Sequence, residues 1–184
     1  MSRGQAEPFT GATSVKELLT VRDEWRRRGE IVVWTNGCFD LLHPGHLAFL
    51  TQAQALGDVL IVGVNDDASV RRLKGPSRPF VPLAGRVAML NGLRVVDHVI
   101  VLEADTPVGE VDVLRPDVCC KDFDYASLPL PERAVVEAYG GRMLLLPRVP
   151  GWSTTSLAER ACRATPGKSL GRQQPGSAAR AGEA

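Results

Sequence analysis

Apolar positions along this chain follow two alternating rhythms. Short β-branched runs have the composition of buried strands: Ile31-Val32-Val33-Trp34, Asp58 to Val64, Asp97 to Leu102, Asp117 to Cys120 and Arg142 to Leu146. Between them apolar residues recur every three or four positions, as in Leu47, Leu50, Ala53 and Leu56, which is the spacing of a helix with one buried face. The residues at the joins agree. Ser14-Val15-Lys16-Glu17 reads as a capping box that opens a helix carrying Leu18, Val21 and Trp25. That helix closes in Arg26-Arg27-Arg28-Gly29, a basic last turn and a glycine cap. Pro44 falls at a first helical position, with His43 at the N-cap and His46 in the first turn; Gly57 closes that helix. Shorter helices are expected from Asp67 to Leu73, from Pro82 or Leu83 through Arg86, Val87, Met89, Leu90 and Leu93, from Thr106 to Leu114, from Pro131 to Tyr139 and from Ser153 to about Arg163.

Strand, helix, strand with short links is a right-handed parallel crossover. Repeated, it predicts an α/β fold: a Rossmann-like doubly wound parallel sheet of five strands in the order 3-2-1-4-5. Residues 1–12 read as a flexible arm, 13–164 as one domain whose first helix (14–29) precedes the first strand, and 165–184 as a disordered tail. The residues that break the strand pattern are Thr35 to Asp40, Asn65-Asp66, Lys121 to Tyr125 and Arg148 to Thr155. Each cluster follows a strand, so all collect at the carboxyl edge, where such sheets bind ligands.

Composition narrows the function. A formal net charge of +1 gives no whole-protein argument for a nucleic acid or a membrane as partner, and no apolar run approaches a membrane span or a signal peptide. Cys38, Cys119, Cys120 and Cys162 form no Cys-x-x-Cys pair; thiols of this kind suit a reducing cytoplasm. Cys119 and Cys120, adjacent in a strand, point to opposite faces.

The candidate chemistry is that of phosphate. Two histidines at the start of one helix stand where unpaired N–H groups and a partial positive charge gather anions. They can donate hydrogen bonds as charge builds on phosphorus, and Gly37 and Gly45 allow close backbone approach. A metal half-site and a purely structural pair are the other readings of His-x-x-His; catalytic zinc wants three protein ligands, and His98 is the one other histidine. The stretch Lys74 to Pro82, with three prolines and two cations, is either a flap over an anionic ligand or an ordinary connector. Ser153-Thr154-Thr155-Ser156 offers more hydroxyls than one helix cap requires and, with Gly151 before it, suits a second phosphate-binding helix start. Pro166-Gly167-Lys168-Ser169 echoes the end of a Walker loop, but its first glycine would fall at Cys162, and no strand precedes it.

The run Thr35-Asn36-Gly37-Cys38-Phe39-Asp40-Leu41-Leu42-His43-Pro44-Gly45-His46 resembles the first motif of the cytidylyltransferase-like nucleotidyltransferases, whose hallmark is His-x-Gly-His. Gly151-Trp152-Ser153-Thr154-Thr155 resembles that family's second motif, and the likeness runs from about Val15 to Arg163. Within the family the chain is most similar to the heptose 1-phosphate adenylyltransferases. The resemblance implies transfer of AMP from ATP to a sugar 1-phosphate, with release of pyrophosphate and formation of an ADP-sugar. It implies His43, His46 and Lys74 as catalytic residues. Thr35, Asn36, Gly37, Phe39, Gly45, Gly151, Trp152, Ser153, Thr154 and Thr155 would hold the nucleotide. Asp40, Asn65, Arg86, Lys121, Asp122 and Asp124 would hold the acceptor. Mg²⁺ is expected to ride on the triphosphate, with no residue assigned as a metal ligand. ATP and a sugar 1-phosphate are the implied partners, a homodimer the implied assembly, and a separate chain the implied supplier of the sugar 1-phosphate.

The departures follow the fourth strand. Heptose-specific relatives typically read Lys-Gly-Gly-Asp-Tyr where this chain reads Lys121-Asp122-Phe123-Asp124-Tyr125, which adds bulk and charge and removes easy access to positive φ. Arg148 is also similar to the arginine of the glycerol 3-phosphate cytidylyltransferases. The alternatives are therefore a CTP-dependent cytidylyltransferase acting on a polyol phosphate, and a nucleotide-binding regulatory module without catalysis.

Overall fold

The computed structural model describes residues 11–163; the expected tail, and all but the last two residues of the expected arm, lie outside the described residues. The elements run α1 (Val15–Arg28), β1 (Val32–Gly37), α2 (Pro44–Gln54), β2 (Val59–Asn65), α3 (Asp67–Lys74), α4 (Leu83–Asn91), β3 (His98–Leu102), α5 (Val108–Leu114), β4 (Val118–Asp122), a 3₁₀ turn (Phe123–Tyr125), α6 (Glu132–Ala138), β5 (Arg142–Leu146) and α7 (Thr154–Arg163). The five strands pair in parallel in the order β3-β2-β1-β4-β5, the order the crossovers predict.

Helices cover both faces. On one, α2 and α4 bury Leu50, Ala53, Val87 and Leu90 against Val33, Leu60, Val62 and Cys120. On the other, α1, α5 and α6 bury Leu18, Val111, Leu114 and Val136 against Val32, Trp34, Ile61 and Cys119. Cys119 and Cys120 thus fall on opposite faces, and burial pushes both thiols up to about 12, which leaves them unreactive. Leu18 is 0 % exposed, so its truncation to alanine costs about 2–5 kcal/mol and loosens α1 from the sheet. Gly63 makes room for the central tryptophan: a Cβ there would stand 2.8 Å from the Trp34 ring.

Both predicted caps of α1 form. Ser14 and Glu17 exchange capping-box hydrogen bonds, and Gly29 takes a left-handed φ of 72°. Two strands outrun their apolar runs. β1 continues through Thr35, Asn36 and Gly37 because β2 continues beside all three, and Thr35 also pairs with Cys120 of β4. β4 continues to Asp122, with Lys121 and Asp122 paired to Leu145 and Leu146. Thr35, Asn36, Lys121 and Asp122 at the carboxyl edge are therefore strand residues, held on a rigid frame. α2 is shorter than the spacing predicts, ending at Gln54, and Leu47 is exposed.

Candidate active site

Where β1 hands the chain to α2, the backbone turns sharply at Phe39, a non-glycine residue at φ 47°. A residue held there costs about 1–3 kcal/mol, and such strain concentrates at functional sites. The turn packs the Phe39 ring 5.3 Å from that of His46 and sends Asp40 toward the segment after α3. His43 is the N-cap of α2, with Pro44 as first helical residue: its Nδ1 accepts from the His46 backbone N–H at 3.1 Å. That bond places the proton of neutral His43 on Nε2. The two imidazoles stack face to face, centroids 3.7 Å apart and 13° from parallel.

Both rings are held neutral. Burial pushes His46 down to about 4, helped by its stacked neighbour His43 and by Arg148 and opposed by the Leu41 backbone. Burial also lowers His43, with its own backbone opposing and Arg148 assisting. Neutral imidazoles still donate N–H bonds, and an arriving polyanion draws both rings toward the charged form.

The second helix start lies beside the first. Trp152 stacks over His43 with ring centroids 6.5 Å apart, and a Cβ on Gly45 would stand 3.0 Å from both the His43 ring and the Trp152 Cβ. Glycine is what lets the two segments close to this distance. Ser153 and Ser156 cap α7 reciprocally: the Ser156 N–H donates to Ser153 Oγ at 3.0 Å and the Ser153 N–H to Ser156 Oγ at 3.3 Å. Neither Thr154 nor Thr155 spends its hydroxyl on a partner among the described residues. Both helix starts open on one cavity of about 700 Å³, which His43, Gly45, His46, Trp152, Ser153, Thr154 and Thr155 line together, a volume in the range of small-molecule sites.

Among the described residues four cations face this cavity, Lys74, Arg78, Lys121 and Arg148. Arg78 pairs with Asp40 at 2.9 Å, Lys121 with Glu132 at 3.0 Å, and Arg148 with Asp124. Lys74, exposed at the end of α3, forms no ion pair among the described residues and remains available to an anion. Cys38 is also there, but burial raises its thiol against the pull of Lys74, so it is no activated nucleophile.

Several residues assigned from sequence are placed otherwise. Arg86 is 1 % exposed, and its guanidinium donates to the backbone oxygens of Val81, Cys38 and Asn65 and to Asp67, at 2.6 to 3.0 Å. It is an internal brace and does not line the cavity. Asp40 lines the cavity, but its carboxylate is engaged by the segment after α3, accepting from Arg78, the Phe80 N–H and the Val81 N–H. Thr35 is 0 % exposed and donates to the Cys120 backbone oxygen, tying β1 to β4 below the cavity. Asn65 borders the cavity, but its side chain donates to Ser69 and the Ala104 backbone oxygen. Gly151, at φ 82°, shapes the turn before α7 and does not line the cavity. Asn36, Gly37, Phe39, Lys121, Asp122 and Asp124 do line it. Asp122 caps the 3₁₀ turn through the Asp124 N–H, and Arg148, held by Asp124, also donates to the Trp152 backbone oxygen at 3.0 Å. Sequence reasoning missed Glu132, a buried carboxylate on the cavity wall, and the latch formed by Arg78; neither has a local pattern that announces it.

A doubly wound parallel sheet with two helix N-termini and neutral imidazoles converging at its carboxyl edge is the layout of an α/β domain built to hold nucleotide phosphates. Residues 34–159 match the family described as Cytidylyltransferase-like, and the chain belongs to that family. It is 51% identical over 158 residues to the bifunctional protein HldE of Methylococcus capsulatus, covering 85% of this chain and 33% of that one. To the bifunctional protein HldE of Syntrophotalea carbinolica it is 48% identical over 147 residues, covering 80% and 29%. The chain thus spans about a third of the length of these relatives. Among solved structures, the lipopolysaccharide core biosynthesis protein from Thermoplasma volcanium superimposes with a TM-score of 0.53 at 28% identity, over 66% of this chain and 98% of that one. A pantoate-beta-alanine ligase from Francisella tularensis shares the fold, with a TM-score of 0.53 at 14% identity, over 80% and 74%. Among the described residues no helix is long and apolar enough to cross a membrane.

Proposed function

We propose that this chain is a nucleotidyltransferase that moves the AMP moiety of ATP onto a heptose 1-phosphate or a close analogue, releasing pyrophosphate and forming an ADP-sugar. The observation that carries the reading is the convergence of two helix starts, far apart in sequence, around the stacked pair His43 and His46. The likeness to bifunctional HldE proteins and to a lipopolysaccharide core biosynthesis protein supports a phosphorylated sugar as the acceptor.

A phosphate oxygen of the acceptor attacks the α-phosphorus in line, and the bond to pyrophosphate breaks. A phosphate monoester is already a nucleophile, so the protein supplies positioning and charge stabilisation rather than a base. The free N–H groups of α2 and α7 and the hydroxyls of Thr154 and Thr155 hold the triphosphate. The imidazole N–H groups of His43 and His46 stabilise charge as it builds on the α-phosphate. Lys74, uncommitted at the lip, bridges nucleotide and acceptor phosphates. Mg²⁺ would neutralise charge on the triphosphate when bound, and a nucleotide-borne ion needs few protein ligands.

Pyrophosphate release, measured with ATP and CTP against a panel of sugar 1-phosphates and polyol phosphates, tests the reading. Turnover is expected with ATP and heptose 1-phosphate. Preference for CTP and glycerol 3-phosphate would favour the cytidylyltransferase reading, and no turnover with any pair would leave a nucleotide-binding module.

A further inference from the structure

We propose that Glu132 and Lys121 form a buried positioning pair that aims the Asn36 carboxamide at the acceptor, so that Asn36 selects the acceptor rather than the nucleotide. The identity of that acceptor rests on the adenylyl-transfer reading above.

The side chains of Lys121 and Glu132 are 9% and 2% exposed and meet at 3.0 Å. Burying two charges is costly, and an apolar pair of the same volume generally packs as well or better. The pair therefore calls for a role beyond holding α6 to β4. Lys121 Nζ makes a second contact, donating to Asn36 Oδ1 at 2.6 Å, and Trp34 Nε1 donates to the same oxygen at 3.3 Å. Two donors on one oxygen fix which way the amide faces: Oδ1 toward β4, Nδ2 away from it. Among the described residues Nδ2 has no acceptor, and Asn36 lines the cavity, so its N–H donors open onto the ligand space. Glu132 fixes Lys121, Lys121 fixes Asn36, and Asn36 meets the ligand.

The side of the cavity decides which ligand. Trp34, Asn36 and Lys121 alternate with the residues of the α2 face and so share the sheet face that carries α1, α5 and α6. The imidazoles and the start of α7 lie toward the α2 side. A triphosphate on those two helix ends leaves the α5/α6 side of the cavity, walled by Thr106, Pro107, Tyr125 and Leu128, for the other substrate. Two amide donors there suit the hydroxyl and phosphate oxygens of a sugar phosphate.

The test uses the full chain. The variant carrying both Lys121→Met and Glu132→Leu replaces the buried pair with apolar side chains of similar volume. KM values are measured from pyrophosphate release with ATP and heptose 1-phosphate, and heptose 1-phosphate binding by calorimetry with α,β-methylene-ATP present. The double variant is expected to stay folded while KM and Kd for heptose 1-phosphate rise about tenfold, the worth of one well-placed hydrogen bond, and KM for ATP holds within about twofold. Asn36→Ala should give the same loss, and adding it to the double variant should cost nothing more. Should the double variant fail to fold, Glu132→Gln, which keeps the shape and frees Lys121, is expected to show the same selective loss. Unchanged acceptor affinity in a folded variant, a loss that falls on ATP, or full additivity with Asn36→Ala overturns this inference alone. A wild type that releases no pyrophosphate overturns the functional reading and this inference with it.

Discussion

Asp40 latches the segment between α3 and α4 to the loop that follows β1. Its Oδ2 accepts from Arg78 at 2.9 Å, and its Oδ1 accepts the Phe80 and Val81 N–H groups at 2.7 and 2.9 Å. Arg78 in turn lies 4.1 Å over the Phe80 ring, so the latch is packed as well as bonded. Lys74 stands just upstream of the latched segment, and Asp40 thereby sets where that lysine can reach. Asp40→Asn keeps the shape but removes the charge that holds Arg78 and one of the acceptor sites. It is expected to lower stability by about 1–3 kcal/mol and kcat/KM by at least about tenfold. Thermal melting and pyrophosphate-release kinetics check both.

Arg86 is a brace whose loss shows in the fold. Truncation to alanine strands the backbone oxygens of Cys38, Asn65 and Val81 without their donor and removes the partner of Asp67. A loss of about 3–5 kcal/mol is expected, a fall in Tm of about 6–20 °C for a domain of this size. Arg86→Lys should recover less than half of it, because one ammonium cannot serve four acceptors spread over a planar fork. Denaturant titration of the two variants measures the difference.

Neutral His46 makes stability depend on pH. Its pKa is about 4 in the folded protein, below the ordinary 6.5, so as pH falls the unfolded chain takes up the proton first. The contribution is complete above pH 6.5 and is lost between 6.5 and about 4. Over that window Tm of the wild type should fall more steeply than Tm of His46→Asn. Parallel curves would show that the ring is not held neutral by its surroundings.

The four hydroxyls that open α7 divide into two jobs. Ser153→Ala removes a cap and should cost about 1 kcal/mol of stability. Thr154→Val removes a hydroxyl that has no partner among the described residues and should leave Tm nearly unchanged while KM for ATP rises about tenfold. Melting curves and ATP titrations of the two variants separate the roles.

The sheet order was legible in the sequence because β-branched runs and helical spacing alternate without interruption, and parallel crossovers of one hand leave few topologies. The pairing of the two helix starts was legible too, since His43 to His46 and Ser153 to Ser156 each sit where a strand hands over to a helix at the same sheet edge. What a linear pattern does not carry is how far a charged side chain travels. Arg86 on α4 turns inward to carbonyls of β2 and of the loop after β1, and nothing in its own helix spacing separates it from an arginine that reaches a ligand. Glu132, on a short helix after a proline, reads as a solvated helix start, yet it lies 2 % exposed against a lysine brought from β4. The extra strand residues Thr35 to Gly37 were hidden for the same reason: β2 alongside all three, and β4 alongside Thr35, hold them extended against their own turn propensity.

The most direct test of the account is the turnover of His46→Ala with ATP and heptose 1-phosphate at saturation, alongside its melting curve. The ring stacks on His43 and is half-buried, so the variant should fold with a Tm within a few degrees of the wild type. Its kcat should fall by about 10²–10³, the cost of removing one preorganised donor from the charge developing on phosphorus. A folded His46→Ala protein that turns over at a rate near the wild type would contradict it.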